Sequence, residues 1–339
     1  VWNTILALIN PQDIPFRFAK RGRKPKLSPQ EYVAMAVLDV YFDLRFRETE
    51  FLVALLSGKH LDHSNCVRWF GRLTVAYIDQ LAFQVHQHIL EEVPAGGDYI
   101  ADASLVTCDR LKSLELSGAA VFEHITWKMH LLVMYLVEAG LLSIVSIFPT
   151  EGRVHESPVL HRQLLKEDRL IEGRKCHADK AYFGRSNMER CRDLDVKPNM
   201  VPKNQKYSDA YLKRYIKQEY DEEARKKNRG LVEGVFGGFQ TETDMKIRCR
   251  KPHHRNVHVA LMGLKHNIRT YLRTKVLMIF WYFAPTPGSP AFCNTYAWAR
   301  LFDRTSAAER AEWCADILTK LDKSIIDINP IGFRYNLTQ

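Results

Sequence analysis

The sequence has no Cys-x-x-C pair and no apolar run long enough to span a bilayer. Its seven cysteines (Cys66, Cys108, Cys176, Cys191, Cys249, Cys293 and Cys314) are scattered and odd in number. That usage argues for reduced thiols and against a zinc ribbon. His254 and His258 stand four apart, with His253 and Cys249 nearby. No carboxylate or second cysteine completes a zinc site there. The longest apolar run, 276–284, is short of the roughly 20 residues a transmembrane helix needs. No signal-peptide pattern opens the sequence. These absences lead us to expect a cytoplasmic protein with no membrane partner.

Acidic residues are scarce where basic ones are dense. The net charge is +10 over 339 residues, and residues 195–275 alone hold 19 Lys and Arg against nine Asp and Glu. The rest of the chain is close to neutral. A basic excess focused in one segment is what binding to a phosphate backbone needs. A solvated charged helix gives a similar pattern, since Asp221, Glu222 and Glu223 interleave with the lysines. The length allows a full core and two or three domains, and a hydrophobic share of 46% is ordinary for a globular chain.

Along the chain, residues 1–97 read as helical. A basic arm over 16–26 includes Arg21, Arg23, Lys24 and Lys26 with Gly22 and Pro25 among them. Such an arm is either a flexible linker or a segment that lies along a DNA minor groove. Ser28-Pro29-Gln30-Glu31 is a helix start with a capping box. A helix over 48–56, a turn containing Gly58, and a longer helix from about 64 that carries Arg68 and Arg72 resemble a helix-turn-helix. Any helical bundle offers such pairs as well. From Asp98 the texture turns to strands: 99–106, 128–136 and 141–148, then 175–179 and 196–202 after a short helix over 158–165. A charged helical stretch follows over 208–239, and an amphipathic helix closes the run over 256–272. The order predicts an α/β fold with a mixed sheet. Beyond 275, a Pro- and Gly-containing linker leads to a further helix opening at Thr305.

Three acids interrupt apolar or small stretches. Asp102 lies within the strand Tyr99-Ile100-Ala101-Asp102-Ala103-Ser104. Asp179 ends the strand Lys175-Cys176-His177-Ala178-Asp179. Glu233 is flanked by Leu231, Val232, Val235 and Phe236 on a helix. An ionised carboxylate among apolar residues needs a salt bridge or a metal ion. Arg229, one turn before Glu233, offers that helix an internal pair. It does not account for the two aspartates. Three carboxylates brought together repel, and a divalent cation relieves the repulsion. Oxygen ligands suit Mg²⁺ or Mn²⁺, and two such ions could activate a water and stabilise a leaving 3′-oxygen on a phosphodiester.

Residues 98–272 resemble the DDE transposases of prokaryotic insertion sequences, whose catalytic core is RNase H-like. The pieces that carry the resemblance are Ile100-Ala101-Asp102-Ala103-Ser104 and Lys128-Met129-His130-Leu131-Leu132-Val133. His155-Glu156-Ser157-Pro158 follows, with Leu160, Leu164 and Leu165. Then come Ala178-Asp179-Lys180-Ala181-Tyr182 and Arg229-x-x-Val232-Glu233-x-x-Phe236-Gly237. No piece is decisive alone, but five in order are specific. The resemblance implies an RNase H-like mixed sheet with flanking helices over 98–275; residues 1–97 read as a helical, DNA-binding domain before it, and 276–339 as an extension without a counterpart in the family.

By the same resemblance Asp102, Asp179 and Glu233 form a catalytic triad that binds metal, expected as two Mg²⁺ or Mn²⁺ ions. Arg229 would orient Glu233 or touch a phosphate, and Lys180 and Tyr182 would line the site. Asp98 is the rival for the first acid, with a capping role beside Gly96 and Gly97. Some members of the superfamily carry a Tyr three residues before the Arg and a Lys seven after the Glu; these positions are here Lys226 and Gln240, so Lys226, Lys227 or Lys246 is the candidate for handling phosphate. The implied activity is metal-dependent cleavage of DNA at element ends and transfer of the 3′-OH into target DNA. The implied partners are terminal inverted repeats, target DNA and further copies of the chain, as a homodimer or higher assembly on paired ends. The implied location is cytoplasmic, at the nucleoid. The alternative is a catalytically silent DNA-binding protein descended from a transposase.

Overall fold

Ser28 realises the expected capping box. Its Oγ accepts from Glu31 N at 3.2 Å, and Glu31 Oε2 accepts from Ser28 N at 2.6 Å. The helix it opens, α2 (Pro29–Tyr41), is buried continuously from Tyr32 to Val40, so it is the hub of the N-terminal helices. Around it run α1 (Trp2–Leu8), α3 (Phe46–Ser57), α4 (His63–Phe70) and α5 (Val75–Glu92). The helix expected from 64 onward is thus two helices. The chain leaves α4 at Gly71 and restarts where Thr74 Oγ1 accepts from Tyr77 N at 3.2 Å, a side-chain cap that competes with continuation.

The computed structural model describes residues 1–18, 24–93, 97–113, 120–203, 209–243, 245, 247, 249 and 251–283. The expected extension beyond 283, including the helix at Thr305, lies outside them. Residues 1–283 are one compact unit. The boundary expected at 97 therefore marks a change from helix to strand rather than a break in packing, because α5 lies along the sheet.

The sheet begins as a meander of β1 (Tyr99–Ser113), β2 (Ala120–Leu136) and β3 (Leu141–Glu151), with Gly140 at φ 63° in the β2–β3 turn. After α6 (Glu156–Leu164) the chain returns to the far side of β1 as β4 (Lys175–Ala178). It then passes through α7 (Arg185–Asp193) to β5 (Lys197–Met200). The strand order is β3-β2-β1-β4-β5, with β4 parallel to β1 and β5 parallel to β4. This is the expected RNase H-like mixed sheet with flanking helices. The last helices are α8 (Ala210–Gln218), α9 (Glu222–Thr243) and α10 (Pro252–Phe283). The final helix runs well past the expected end at 272 and takes in most of the apolar run after Lys275.

Two polar side chains bolt α5 and α10 to β3. Asn267 accepts from Ile144 N at 2.8 Å and donates to Ala82 O and Ile144 O at 2.8 and 2.7 Å. Asp79, 2% exposed, accepts from Ile147 N at 2.6 Å and from the Ser146 hydroxyl. It also meets Lys166 and Arg169, at 2.5 and 2.7 Å. Both of these buried side chains thereby find the partners that burial demands.

Gly97 seats the start of β1. A Cβ there would lie 1.5 Å from the Tyr135 carbonyl oxygen, so only glycine allows β2 this close. Gly97→Ala is expected to force the strands apart and to cost about 1–3 kcal/mol, read as a lower midpoint in a thermal melt.

Candidate active site

The register of two strands brings the first two acids together. Ala101 of β1 pairs with Ala178 of β4, and the strands run parallel. The next residues, Asp102 and Asp179, therefore leave the sheet side by side on one face, separated by about one strand spacing of ~4.8 Å. Both are partly buried. Ile100, Ala101, Asp102, His177, Ala178, Asp179, Arg225 and Val232 line a small cleft at these strand ends. The last two residues come from α9, which packs across β1 and β4.

Asp102 accepts from Ala103 N at 2.8 Å, which fixes one carboxylate oxygen against the strand. Asp179 accepts from Arg225 Nη2 at 2.6 Å. Glu233 is exposed on α9, next to the buried Val232 of the cleft. It does not form a ready three-ligand group with the two aspartates: among the described residues, no three His, Cys, Asp or Glu side chains are gathered to hold a metal ion. Carboxylate oxygens are nonetheless the donors that Mg²⁺ and Mn²⁺ prefer, and a cationic guanidinium already sits on Asp179. In kind of donor and in charge, the cleft fits a divalent cation.

A buried network holds this end of the sheet. Asn199 Nδ2 donates to His177 Nδ1 at 2.9 Å, which puts the ring proton on Nε2, 3.0 Å from Asp98 Oδ2. The Asn228 amide on α9 lies 2.9 Å from the same Nε2. Asp98 also accepts from Lys175 N at 3.0 Å. Burial would raise the Asp98 carboxyl. The bonds from His177 and the Lys175 backbone, with the Lys175 charge, outweigh it and hold the group below the usual carboxylate range. Asp98 is thus engaged in tying β1 to β4 and lies outside the cleft lining. At the start of α9, Asp221 pairs with Lys175 at 2.7 Å, and its backbone N and O bond to the Asn199 amide.

The other residues singled out from sequence fall in different places. Lys180 is exposed beside Asp179. Tyr182 does not line the cleft. It is 1% exposed behind it, and its hydroxyl has no hydrogen-bond partner among the described residues. Burial, and then the charges of Glu156, Asp102 and Asp179, push its pKa up. Lys226 pairs with Glu222 at 2.8 Å, and Lys227 is exposed. Arg229 belongs to α9, but its side chain, like residues Arg21, Arg23 and Lys246, lies outside what is described. Lys24 is exposed, and Lys26 donates to His60 O at 2.6 Å. Arg68 is exposed on α4, and the Arg72 guanidinium stacks 4.2 Å from the Trp69 ring centre. His253 bonds to Gly71 O at 3.0 Å and His254 meets the edge of Phe70, so both pack α10 against α4.

The model of the family described as Transposase DDE domain matches residues 117–286. The chain belongs to the DDE transposase family. The matched residues of this transposase include β2 to β5, Asp179 and Glu233, while Asp102 lies upstream of them on β1. A comparison with curated proteins finds no match. Among the described residues of the transposase no helix is long and apolar enough to cross a membrane.

Three residues at and beside the cleft were not singled out from the sequence: Arg225, His177 and Asn228. Asp221, Arg225, Asn228 and Val232 recur at helical spacing and so share one face of α9. That stripe was the available signal. Its partners sit some fifty residues earlier on β4, where no local pattern points to them.

Proposed function

We propose that this transposase cleaves DNA at element ends and joins the freed 3′-OH to target DNA, with Asp102, Asp179 and Glu233 as its metal-binding catalytic triad. The observation that carries the reading is the β1–β4 register, which sets Asp102 beside Asp179 under the helix that bears Glu233. The two aspartates offer fixed oxygen donors from rigid strands. Glu233 is proposed as the third, from the helix that packs across β1 and β4. Two Mg²⁺ or Mn²⁺ ions held there would lower the pKa of a water and neutralise charge on the attacked phosphate and the leaving 3′-oxygen. Lys180, Lys226, Lys227 and Arg229 are proposed to hold phosphates. No covalent enzyme intermediate is needed, so no Ser or Tyr nucleophile is assigned. Arg21, Arg23, Lys24, Lys26, Arg68 and Arg72 are proposed to contact DNA from the N-terminal region, with the chain acting as a dimer or larger assembly on paired ends.

The test is a cleavage assay on labelled DNA carrying the gene's own flanking sequence, with Mg²⁺ or Mn²⁺. The native chain is expected to nick at the element boundary. Asp102→Asn, Asp179→Asn and Glu233→Gln are each expected to lose roughly 10²-fold or more, since several kcal/mol of charge stabilisation goes with the metal. DNA binding by the same variants should persist and weaken steeply with salt. Native-level cleavage by any one variant would remove that residue from the triad. Binding without cleavage in the native chain would favour the silent DNA-binding descendant.

A further inference from the structure

We infer that Arg225 is a charge placeholder at the metal site: its guanidinium occupies Asp179 until a divalent cation displaces it. The inference rests on the proposed role of Asp179 as a metal ligand.

Arg225 lies on the anchored face of α9, one turn after Asp221 and one before Asn228. The Asn199 amide holds the Asp221 backbone at the start of α9, so the guanidinium is delivered to the cleft from an anchored turn. Its Nη2 meets Asp179 Oδ1 at 2.6 Å, with the Arg side chain only 16% exposed and the carboxylate 41% exposed. The bonded oxygen thus faces a cleft that solvent and ions can reach. Asp102 stands beside Asp179 by the strand register. Two adjacent carboxylates at the end of a sheet destabilise one another without a cation. Arg225 supplies that cation from within the chain, at the atoms a metal would use.

The consequence is a competition of definite sign. A metal that takes Asp179 must first release it from Arg225, so the ion pair subtracts from metal affinity. A purely structural bridge has the opposite sign: its loss would loosen α9 and weaken metal binding. A partly exposed ion pair of this kind corresponds to at most about a fivefold change in affinity.

The experiment measures Mn²⁺ binding to the DNA-free chain by the electron paramagnetic resonance of the free ion. Native protein is compared with Arg225→Gln, Arg225→Lys and Asp179→Asn. Arg225→Gln is expected to bind Mn²⁺ more tightly, by up to about fivefold. Arg225→Lys, which retains the charge, should stay near native, and Asp179→Asn should lose most of the binding. Arg225→Met preserves the packed stem and serves in place of the glutamine variant if that variant melts early. Unchanged or weaker binding in the uncharged variants, with binding lost in Asp179→Asn, would overturn the placeholder and leave the triad standing. Native affinity in Asp179→Asn would overturn both.

Discussion

Stability of the folded chain is expected to fall steeply between pH 6.5 and 4, with an uptake of about three protons on unfolding. His86, His130 and His266 are each held to a pKa of about 4, burial being the main cause in every case. Their neutral rings are used in place. His86 Nδ1 bonds to the Ser143 hydroxyl at 2.8 Å, His130 Nε2 to Thr150 Oγ1 at 2.9 Å, and His266 Nε2 donates to Leu142 O at 2.9 Å. All three partners belong to β3, so one strand carries the acid sensitivity.

In the unfolded chain the same rings take their proton near pH 6.5, so above that pH neither state is charged and no stability is at stake. Below it the unfolded state binds protons that the folded state refuses, and unfolding gains. Near pH 5 each histidine contributes a slope of about 1.4 kcal/mol per pH unit, or about 4 kcal/mol for the three together. Domains have roughly 5–15 kcal/mol in hand, so acid unfolding should come before the carboxylates titrate fully. Urea midpoints measured at pH 7, 6, 5 and 4.5 check this. A flat profile would mean that these rings protonate inside the fold. Replacing any one of them with Gln should remove about one proton from the slope.

Asp79→Ala is expected to cost about 3–5 kcal/mol, the usual result of removing one partner from a buried charge pair. Arg169 would remain, 7% exposed, with its guanidinium facing Phe83 at 4.7 Å and, among the described residues, only Val145 O and Gln80 to bond. Ile147 N would lose its acceptor as well. Asp79→Asn retains an acceptor for Ile147 N and should fall between the alanine variant and native. Denaturant unfolding separates the three. A loss below ~1 kcal/mol in the alanine variant would show that Arg169 finds water instead.

Much of the fold was legible because local chemistry and tertiary structure agree. Ser28 and Glu31 spell a cap and form one. The Asp102 strand and its two successors carry continuous apolar runs and pair as a meander. Legibility failed where local signals were weak or where the partner was distant. The nine residues of α7 are mostly polar and bury only Asn187, Met188 and Cys191, so periodicity passes them by. The far end of β1 carries Asp109, Arg110 and Lys112, which hid a strand reaching Ser113. At the site, Asp102, Asp179 and Glu233 stood out as acids in apolar settings. Arg225 did not, because Asp221, Glu222 and Glu223 offered it nearer partners and the sequence could not show that Asp179 takes it.

The β1–β4 pairing joins residues that leave the ribosome far apart in time. Asp102 has no neighbour on its β4 side until Asp179 has been synthesised. The helix that closes the cleft follows another fifty residues later. At about 5–20 residues per second, several seconds separate the first strand from the last element of the site. Over the same interval the sheet face that α10 covers, with Ile144 and Ile147, stays open to solvent. A nascent transposase therefore holds its acids apart while it is still being made. The site assembles late, after most of the chain has emerged, and α10 then seals the core.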